Sequence, residues 1–162
     1  MPGSVSGESD TRGANVPVSP VLIALGVTGV CFGISQLFPL PVTGAIKALF
    51  YSGFVLMALS GFIALDGHIR LKRAKTSIQP WKPTTTIITE GVYRYTRNPL
   101  YLSLCMLQLG IGLVINNAFI VAGSFLSALL FYIVAIRREE AYLERKFGDE
   151  YLEYKTKTRR WL

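Results

Sequence analysis

The sequence is poor in the residues and motifs from which most soluble enzymes build their active sites. It contains one histidine, two cysteines and ten acidic residues, against seventeen lysines and arginines. Gly-rich phosphate loops, the GxSxG nucleophile elbow and the HExxH zinc motif are all absent. One histidine without a cysteine cluster does not make a zinc site, so we predict no bound metal. These absences argue against nucleotide hydrolysis, Rossmann-type dinucleotide binding and serine hydrolysis.

Four apolar blocks also lack the polar stripe of a soluble amphipathic helix. They cover residues 21–38, 46–65, 100–115 and 118–136, and the third is the shortest. A helix needs about 20 apolar residues to cross the hydrocarbon layer of a bilayer. Together with a hydrophobic content of 51%, the blocks predict an all-α polytopic membrane protein with four transmembrane helices rather than a soluble helical bundle.

Positive charge is concentrated on one predicted side of the membrane. Of the seventeen lysines and arginines, only Lys47 lies near one of the two turns on the other side. The other sixteen lie in the first tail, in the loop 67–98 or after Ile136. The positive-inside rule therefore places both termini in the cytosol of a multi-pass protein, which we assign to a prokaryotic inner membrane. Anionic lipid accounts for the net charge, so the bilayer is the expected partner and nucleic acid is not.

The chain is predicted to be one domain with a short tail. Residues 1–18, rich in Ser, Gly and Pro, are expected to form a disordered cytosolic tail, and residues 19–162 a single membrane domain. After the second block, HIRLKRAK is expected to prolong the helix into the cytosol. Pro80 and Pro83 then break any helix, and TTTIIT from Thr84 is expected to be extended before Gly91 turns the chain back.

The connection between the third and fourth blocks is only the polar pair Asn116 and Asn117. Such a short connection predicts a tight antiparallel helical hairpin. Counted from this turn, Asn98 lies about 27 Å and Glu139 about 33 Å along the two helices. The clusters RNPLY at 97–101 and RREE at 137–140 are therefore predicted to lie side by side at the cytosolic face.

The first of these clusters carries a helix-start signal, with Asn98 as N-cap and Pro99 at the first helical position. The unpaired amides of a helix start favour a carboxylate or phosphate, and Arg94 and Arg97 add mobile positive charge. The alternative is an ordinary capped helix with arginines that reach toward the membrane surface.

The second cluster places Glu139 and Glu140 where the fourth helix leaves the bilayer. One of them is predicted to bind a cationic or hydroxyl-rich ligand, and the alternative is a solvated helix end. The following residues space apolar side chains at helical intervals, with Gly148 as a bend. They predict a cytosolic amphipathic helix that covers the site or anchors the chain to the membrane surface.

The segments GVYRYTRNPLY and RREEAYLERKFGDEYLEYK, separated by a short hairpin and followed by RRW, resemble a known family. It is the isoprenylcysteine carboxyl methyltransferase-like and phospholipid methyltransferase-like family of integral membrane methyltransferases, and the resemblance covers residues 76–162. It implies a cytosolic S-adenosylmethionine pocket formed by segments 76–101 and 137–162. The cofactor-binding residues that it implies are Tyr93, Asn98, Pro99, Leu100, Tyr101, Glu139, Thr85, Thr86, Ile87 and Ile88.

The sequence departs from this family at two positions. Asn98 replaces a histidine, which keeps hydrogen-bonding capacity but removes a titrating imidazole. Ala135 lies near the place of the arginine that contacts the prenylcysteine substrate in the eukaryotic members. The resemblance therefore implies methyl transfer to a membrane-embedded or apolar acceptor, but leaves carboxylate, thiol and amine open.

Glu140 is the candidate catalytic residue, as the proton acceptor that an amine acceptor would need. Two other readings remain open. One is an NADPH-dependent sterol-reductase-like membrane enzyme, which carries a similar RHPxY-like segment. The other is a non-catalytic membrane protein that retains the fold.

Overall fold

The computed structural model describes residues 14, 16–43, 47–76 and 84–162. Within these residues the chain forms six α-helices: α1 Pro20–Leu37, α2 Lys47–Arg73, α3 Pro99–Val114, α4 Ala118–Phe131, α5 Arg137–Phe147 and α6 Asp149–Lys157. A 3-10 turn, Gly91–Arg94, precedes α3, and a π-helical turn, Tyr132–Ile136, joins α4 to α5. The described part contains no β-strand, so the predicted all-α class is confirmed.

Three of the described helices are long and apolar enough to cross a membrane. They are α1, α2 and the continuous helix Ala118–Phe147, which α4, the π-helical turn and α5 form together. The remaining apolar helix, α3, has 16 residues and is shorter than this measure requires. Length and composition therefore support three of the four predicted spans, and a crossing by α3 stays a prediction. HIRLKR continues α2 to Arg73, as the sequence indicated.

Close backbone contact holds α2 against α3, and α4 packs between α3 and α1. A Cβ atom on Gly53 would lie 2.7 Å from the backbone oxygen of Gly110, and the reverse distance is the same. Only glycine fits at these two positions, because no side chain could enter the gap. Ser60 adds a hydrogen bond of 2.7 Å from its hydroxyl to the backbone oxygen of Ser103.

The tight turn predicted at Asn116 and Asn117 is present. Asn116 adopts a positive φ of 52°, and its side-chain oxygen accepts a hydrogen bond from the Val42 amide at 3.0 Å. Asn117 accepts one from the Ile120 amide at 3.1 Å. The hairpin therefore brings the start of α3 and the start of α5 to the same end of the bundle.

The tail bends at Gly148, where a positive φ of 52° separates α5 from α6. Residues 84–89, where an extended chain was expected, have no regular secondary structure and bend at Thr86. The predicted helix break at Pro80 and Pro83 lies outside the described residues, as does most of the predicted disordered tail. Val16, which belongs to that tail, is buried in the core instead.

Candidate functional site

A cavity of about 330 Å³ lies where α3 begins and α5 leaves the bundle. Its walls come from the starts of α1 and α3, the end of α2, residues 84 and 86–88, and the two tail helices. The residues singled out from the sequence that line it are Tyr93, Asn98, Pro99, Leu100, Tyr101, Glu139, Glu140, Thr86, Ile87 and Ile88. Thr85 is not among the lining residues, because its amide turns to the Thr76 hydroxyl at 3.0 Å and its side chain is exposed.

The 3-10 turn that carries Tyr93 is fixed to the end of α2. The Asp66 carboxylate accepts hydrogen bonds from the Arg70 guanidinium at 2.8 Å and from the Val92 amide at 2.9 Å. A Cβ atom on Gly91 would lie 1.7 Å from that guanidinium, and the φ of 58° also requires glycine. Burial raises the pKa of the Tyr93 hydroxyl, so the phenol stays protonated in the cavity wall.

Asn98 stands at the start of α3 but does not cap it. Its side-chain nitrogen donates to the backbone oxygen of Arg160 at 3.1 Å, and no side-chain hydrogen bond caps α3 within the described part of the chain. Pro99 follows at the first helical position and has no amide hydrogen to satisfy. The expected position of Asn98 is thus confirmed, but the expected capping hydrogen bond is wrong. The first amides of α3 lie beside the cavity without that cap.

Glu139 reaches the cavity from the other helix of the hairpin. The Tyr101 hydroxyl donates to one of its carboxylate oxygens at 2.7 Å. The Tyr101 ring packs on Phe131, with 5.3 Å between ring centroids, which fixes the hydroxyl in place. The juxtaposition inferred from the hairpin is therefore present, since Asn98 and Glu139 line the same cavity.

Glu140 joins α5 to two arginines. Its carboxylate accepts hydrogen bonds from Arg97 at 3.1 Å and from Arg160 at 2.9 and 3.0 Å. The side chains of Glu140 and Arg97 are only 9% and 7% exposed. These contacts favour a structural role for Glu140 over the proton acceptor that the sequence suggested. Arg97 is likewise held in place, and the expectation of a mobile charge there is wrong.

The end of the chain is bound along the segment that leads into α3. Thr96 and Arg159 form a parallel bridge, in which the Arg97 amide donates to the Arg159 oxygen at 2.9 Å. One turn earlier, the Tyr154 hydroxyl donates to the Tyr93 oxygen at 2.6 Å. The tail therefore closes one side of the cavity through backbone and side-chain hydrogen bonds.

The part of the wall formed by Ser19, Pro20 and Val21 was not predicted from the sequence. The Ser19–Pro20 pair is the same kind of helix-start signal as Asn98–Pro99, and it marks the end of α1 on the predicted cytosolic side. That signal could have placed a third helix start at the site. The ion pairs of Glu140 with Arg97 and Arg160, which we call the latch, had no comparable signal in the sequence. They depend on contacts between residues that are far apart in sequence.

Comparison with known proteins adds a family to this geometry. The model of the phospholipid methyltransferase family matches residues 48–150, which is more than half of the chain. This chain belongs to the phospholipid methyltransferase family. The family expected from the segments GVYRYTRNPLY and RREEAYLERKFGDEYLEYK is thereby confirmed, and the apolar helices agree with an integral membrane protein.

Three relatives are similar to this chain over less than half of its length. An uncharacterized protein of Haemophilus influenzae is 46% identical over 63 residues, which is 39% of this chain and 100% of the relative. The protein-S-isoprenylcysteine O-methyltransferase of Schizosaccharomyces pombe is 36% identical over 78 residues, or 44% of this chain and 30% of the relative. Its Xenopus laevis counterpart is 35% identical over 72 residues, or 44% and 25%. The chain thus covers a third or less of these two enzymes.

Proposed function

We propose that this chain transfers a methyl group from S-adenosylmethionine to a membrane-embedded or apolar acceptor at the cytosolic face. The observation that carries the proposal is the cavity in which an uncapped helix start and the half-buried acid Glu139 face the same space. Membership of a family of membrane methyltransferases supports it. So do the names of the two isoprenylcysteine relatives, which carry out O-methylation.

The lining residues fit the polar groups of S-adenosylmethionine. Its carboxylate suits the first amides of α3 beside Asn98, where the helix dipole favours negative charge. The second carboxylate oxygen of Glu139 suits a ribose hydroxyl or the cofactor's ammonium group, while the first accepts from Tyr101. Tyr93, Tyr101 and residues 86–88 provide a largely apolar wall for the ring system.

Methyl transfer from S-adenosylmethionine needs few ionisable side chains. When bound, S-adenosylmethionine would supply a methyl group on a positively charged sulfur, and a neutral thioether would be the leaving group when the acceptor's lone pair forms its bond to the methyl carbon. The chain's own task is to orient the two reactants and exclude water. The tail bound over the cavity serves the second purpose. Because Arg97 and Arg160 hold Glu140, a carboxylate or thiolate acceptor, which brings its own lone pair, suits the site better than a protonated amine.

The cytosolic orientation rests on charge and on geometry together. The end of α2 and the starts of α1, α3 and α5 all border the cavity. These helix ends adjoin the three segments in which sixteen of the seventeen lysines and arginines occur, namely the first tail, the loop 67–98 and the residues after Ile136. We therefore place the cavity, both termini and the tail helices on the cytosolic side of the membrane.

Binding of S-adenosylhomocysteine to the detergent-purified protein, measured by calorimetry, tests the proposal. We expect binding to the wild-type chain and a loss of at least about tenfold in affinity when both Asn98 and Glu139 are replaced by alanine. Glu150→Ala is a matched control, since Glu150 is an exposed acid on α6 outside the cavity.

Equal affinity in the double variant would remove the residue assignment. No binding by the wild-type chain would remove the function itself. Native mass spectrometry of the purified protein then distinguishes the alternatives through the mass of any retained ligand. A retained nicotinamide cofactor would favour the reductase reading, and no ligand with no binding would favour a non-catalytic role.

A further inference from the structure

The tail helix α6 contributes a tyrosine to the cavity wall whose hydroxyl has no partner in the described part of the chain. Tyr151 is 2% exposed and lines the cavity. Three other tyrosines of the same wall, Tyr101, Tyr142 and Tyr154, each have a hydrogen-bond partner for the hydroxyl. The Tyr151 hydroxyl makes no such bond to another described residue. A buried polar group of this kind is costly unless a ligand or a water completes it.

The free hydroxyl borders the cavity and is not sealed in the packed interior. Among the described residues, the polar side-chain atoms that are sealed off without a partner are Arg97 Nε and Gln108 Nε2. The Tyr151 oxygen is not one of them, so it touches open space. Because the side chain is otherwise buried and lines the cavity, that open space is the cavity itself.

The contacts of α6 place this hydroxyl on the side of the cavity where α3 begins. Tyr151 and Lys155 lie one helical turn apart on the same face of α6. The Arg97 guanidinium donates to the backbone oxygens of Lys155 at 2.9 Å and Thr158 at 2.6 Å. The helix therefore lies beside the segment that leads into α3, and Tyr151 faces that part of the cavity.

The charges next to Tyr151 favour an anionic ligand group. Arg97 and Arg160 share the single carboxylate of Glu140, which leaves one positive charge in excess. Burial, followed by the charge of Glu140, raises the pKa of the Tyr151 hydroxyl, so the group stays protonated and can donate. A hydroxyl that donates to a carboxylate forms a strong, charge-assisted hydrogen bond. The first amides of α3 favour the same kind of ligand group through the helix dipole.

Packing alone does not account for the Tyr151 hydroxyl. The Tyr151 ring packs edge to face on the Tyr154 ring, with 6.1 Å between the centroids, and a phenylalanine would keep this contact. The Tyr154 hydroxyl secures the tail by donating to the Tyr93 oxygen. The two tyrosines of α6 therefore differ in function: one hydroxyl holds the tail in place, and the other is available to a ligand.

From these observations we infer that Tyr151 is a further cofactor-binding residue, whose hydroxyl donates to the carboxylate of S-adenosylmethionine from the tail side while the first amides of α3 bind the same group from the other side. The inference rests on the proposed methyl transfer and deepens it. It makes α6 a part of the binding site and not only its cover. Bound cofactor and a closed tail must then stabilise each other.

Calorimetry on the detergent-purified full chain tests the contact with two ligands, S-adenosylhomocysteine and its decarboxylated analogue, which lacks only the carboxylate. Tyr151→Phe is expected to lower the affinity for S-adenosylhomocysteine about tenfold and to leave the affinity for the analogue within about twofold. Tyr95→Phe is the matched control, because Tyr95 is exposed and lies outside the cavity. This control should bind both ligands as the wild-type chain does.

Two measurements separate a ligand contact from a structural role. Thermal unfolding without ligand should be the same in Tyr151→Phe as in the wild-type chain, since the lost hydroxyl had no partner, whereas Tyr154→Phe should unfold earlier. Hydrogen exchange of the α6 amides is then followed with S-adenosylhomocysteine at a concentration that saturates each protein. We expect the ligand to slow this exchange in the wild-type chain, and to slow it about tenfold less in Tyr151→Phe.

Three results would overturn the inference. Equal affinity of Tyr151→Phe and the wild-type chain for S-adenosylhomocysteine would mean that the hydroxyl meets only water or the methyl acceptor. An equal loss of affinity for both ligands would place the contact on another part of the cofactor. The same loss in Tyr95→Phe would show an effect unrelated to the cavity. Failure of the wild-type chain to bind S-adenosylhomocysteine would instead show that the proposed function itself is wrong.

Discussion

The helices α3 and α4 each begin with an asparagine, and the two asparagines behave differently. Asn117 caps α4 with a hydrogen bond of 3.1 Å from the Ile120 amide to its side chain. Asn98 leaves α3 uncapped and turns its side chain to the Arg160 oxygen. The turn end of the hairpin satisfies its own polar groups, whereas the cavity end uses its groups to hold the tail and leaves helix amides beside a cavity. This contrast is what we expect of one end built for stability and another built to bind a ligand.

The largest expected effect comes from breaking the latch at the cavity end. Glu140→Ala leaves Arg97 buried without its carboxylate partner, and loss of one member of a buried ion pair lowers the free energy of unfolding by about 3–5 kcal/mol. Thermal unfolding in detergent measures the change. Because Arg97 and Arg160 both bind Glu140, limited proteolysis should also cut the tail after α5 faster in this variant.

Glu153→Ala is the matched control for the latch. Glu153 pairs with Lys157 on α6, but both side chains are exposed, so we expect the loss of this pair to change the stability little. An equal loss of stability in both variants would contradict the structural role assigned to Glu140. A stable Glu140→Ala variant that binds S-adenosylhomocysteine but does not methylate would restore the proton-acceptor role.

The next largest effect is expected on ligand binding at the cavity end of the hairpin. Asn98→Ala is expected to weaken S-adenosylhomocysteine binding about tenfold, or about 1.4 kcal/mol, because the backbone segment beside the first amides of α3 loses its anchor to the tail. Stability should change less than binding, since the side chain caps no helix amide. Calorimetry and thermal unfolding on one protein preparation give both quantities.

The corresponding substitution at the turn end of the hairpin should lower stability and leave ligand binding unchanged. Asn117→Ala removes the cap of α4 and is expected to lower the free energy of unfolding by about 1 kcal/mol. Affinity for S-adenosylhomocysteine should stay at the wild-type value, because the turn lies at the far end of the hairpin from the cavity. If both asparagine variants changed binding equally, the distinction between the two ends would be lost.

The sequence was sufficient for the parts of the fold that follow from local rules. Apolar length predicted α1, α2 and the helix after Ala118, and the asparagine pair predicted the hairpin that brings Asn98 to Glu139. The sequence was insufficient where a polar side chain had more than one possible hydrogen-bond partner. An asparagine before a proline predicts a cap, but the backbone oxygen of Arg160 accepts a hydrogen bond from the side-chain nitrogen of Asn98 and holds the side chain in another direction. Nothing local in the sequence reveals this partner.

The same limit applies to Glu140, whose role as a proton acceptor stays a prediction. From sequence, Glu139 and Glu140 are equivalent candidates at a helix exit. They differ only because one meets Tyr101 at the cavity and the other meets two arginines, one of them twenty residues further along the chain. Contacts of this kind depend on the packed tail, so they became visible only with the tertiary structure.

The smallest expected effect tests whether the tail is held by many contacts or by the latch alone. Tyr154→Phe removes the hydrogen bond of 2.6 Å to the Tyr93 oxygen and keeps the buried ring. Burial raises the pKa of Tyr154, so the hydroxyl is a donor at all ordinary pH values and the bond is not lost by titration. We expect a loss of about 0.5 kcal/mol in unfolding free energy, with proteolysis of the tail only slightly faster than in the wild-type chain. Tail cleavage as fast as in Glu140→Ala would mean that the cover over the cavity depends on this single hydrogen bond, and the ion pairs would then be secondary.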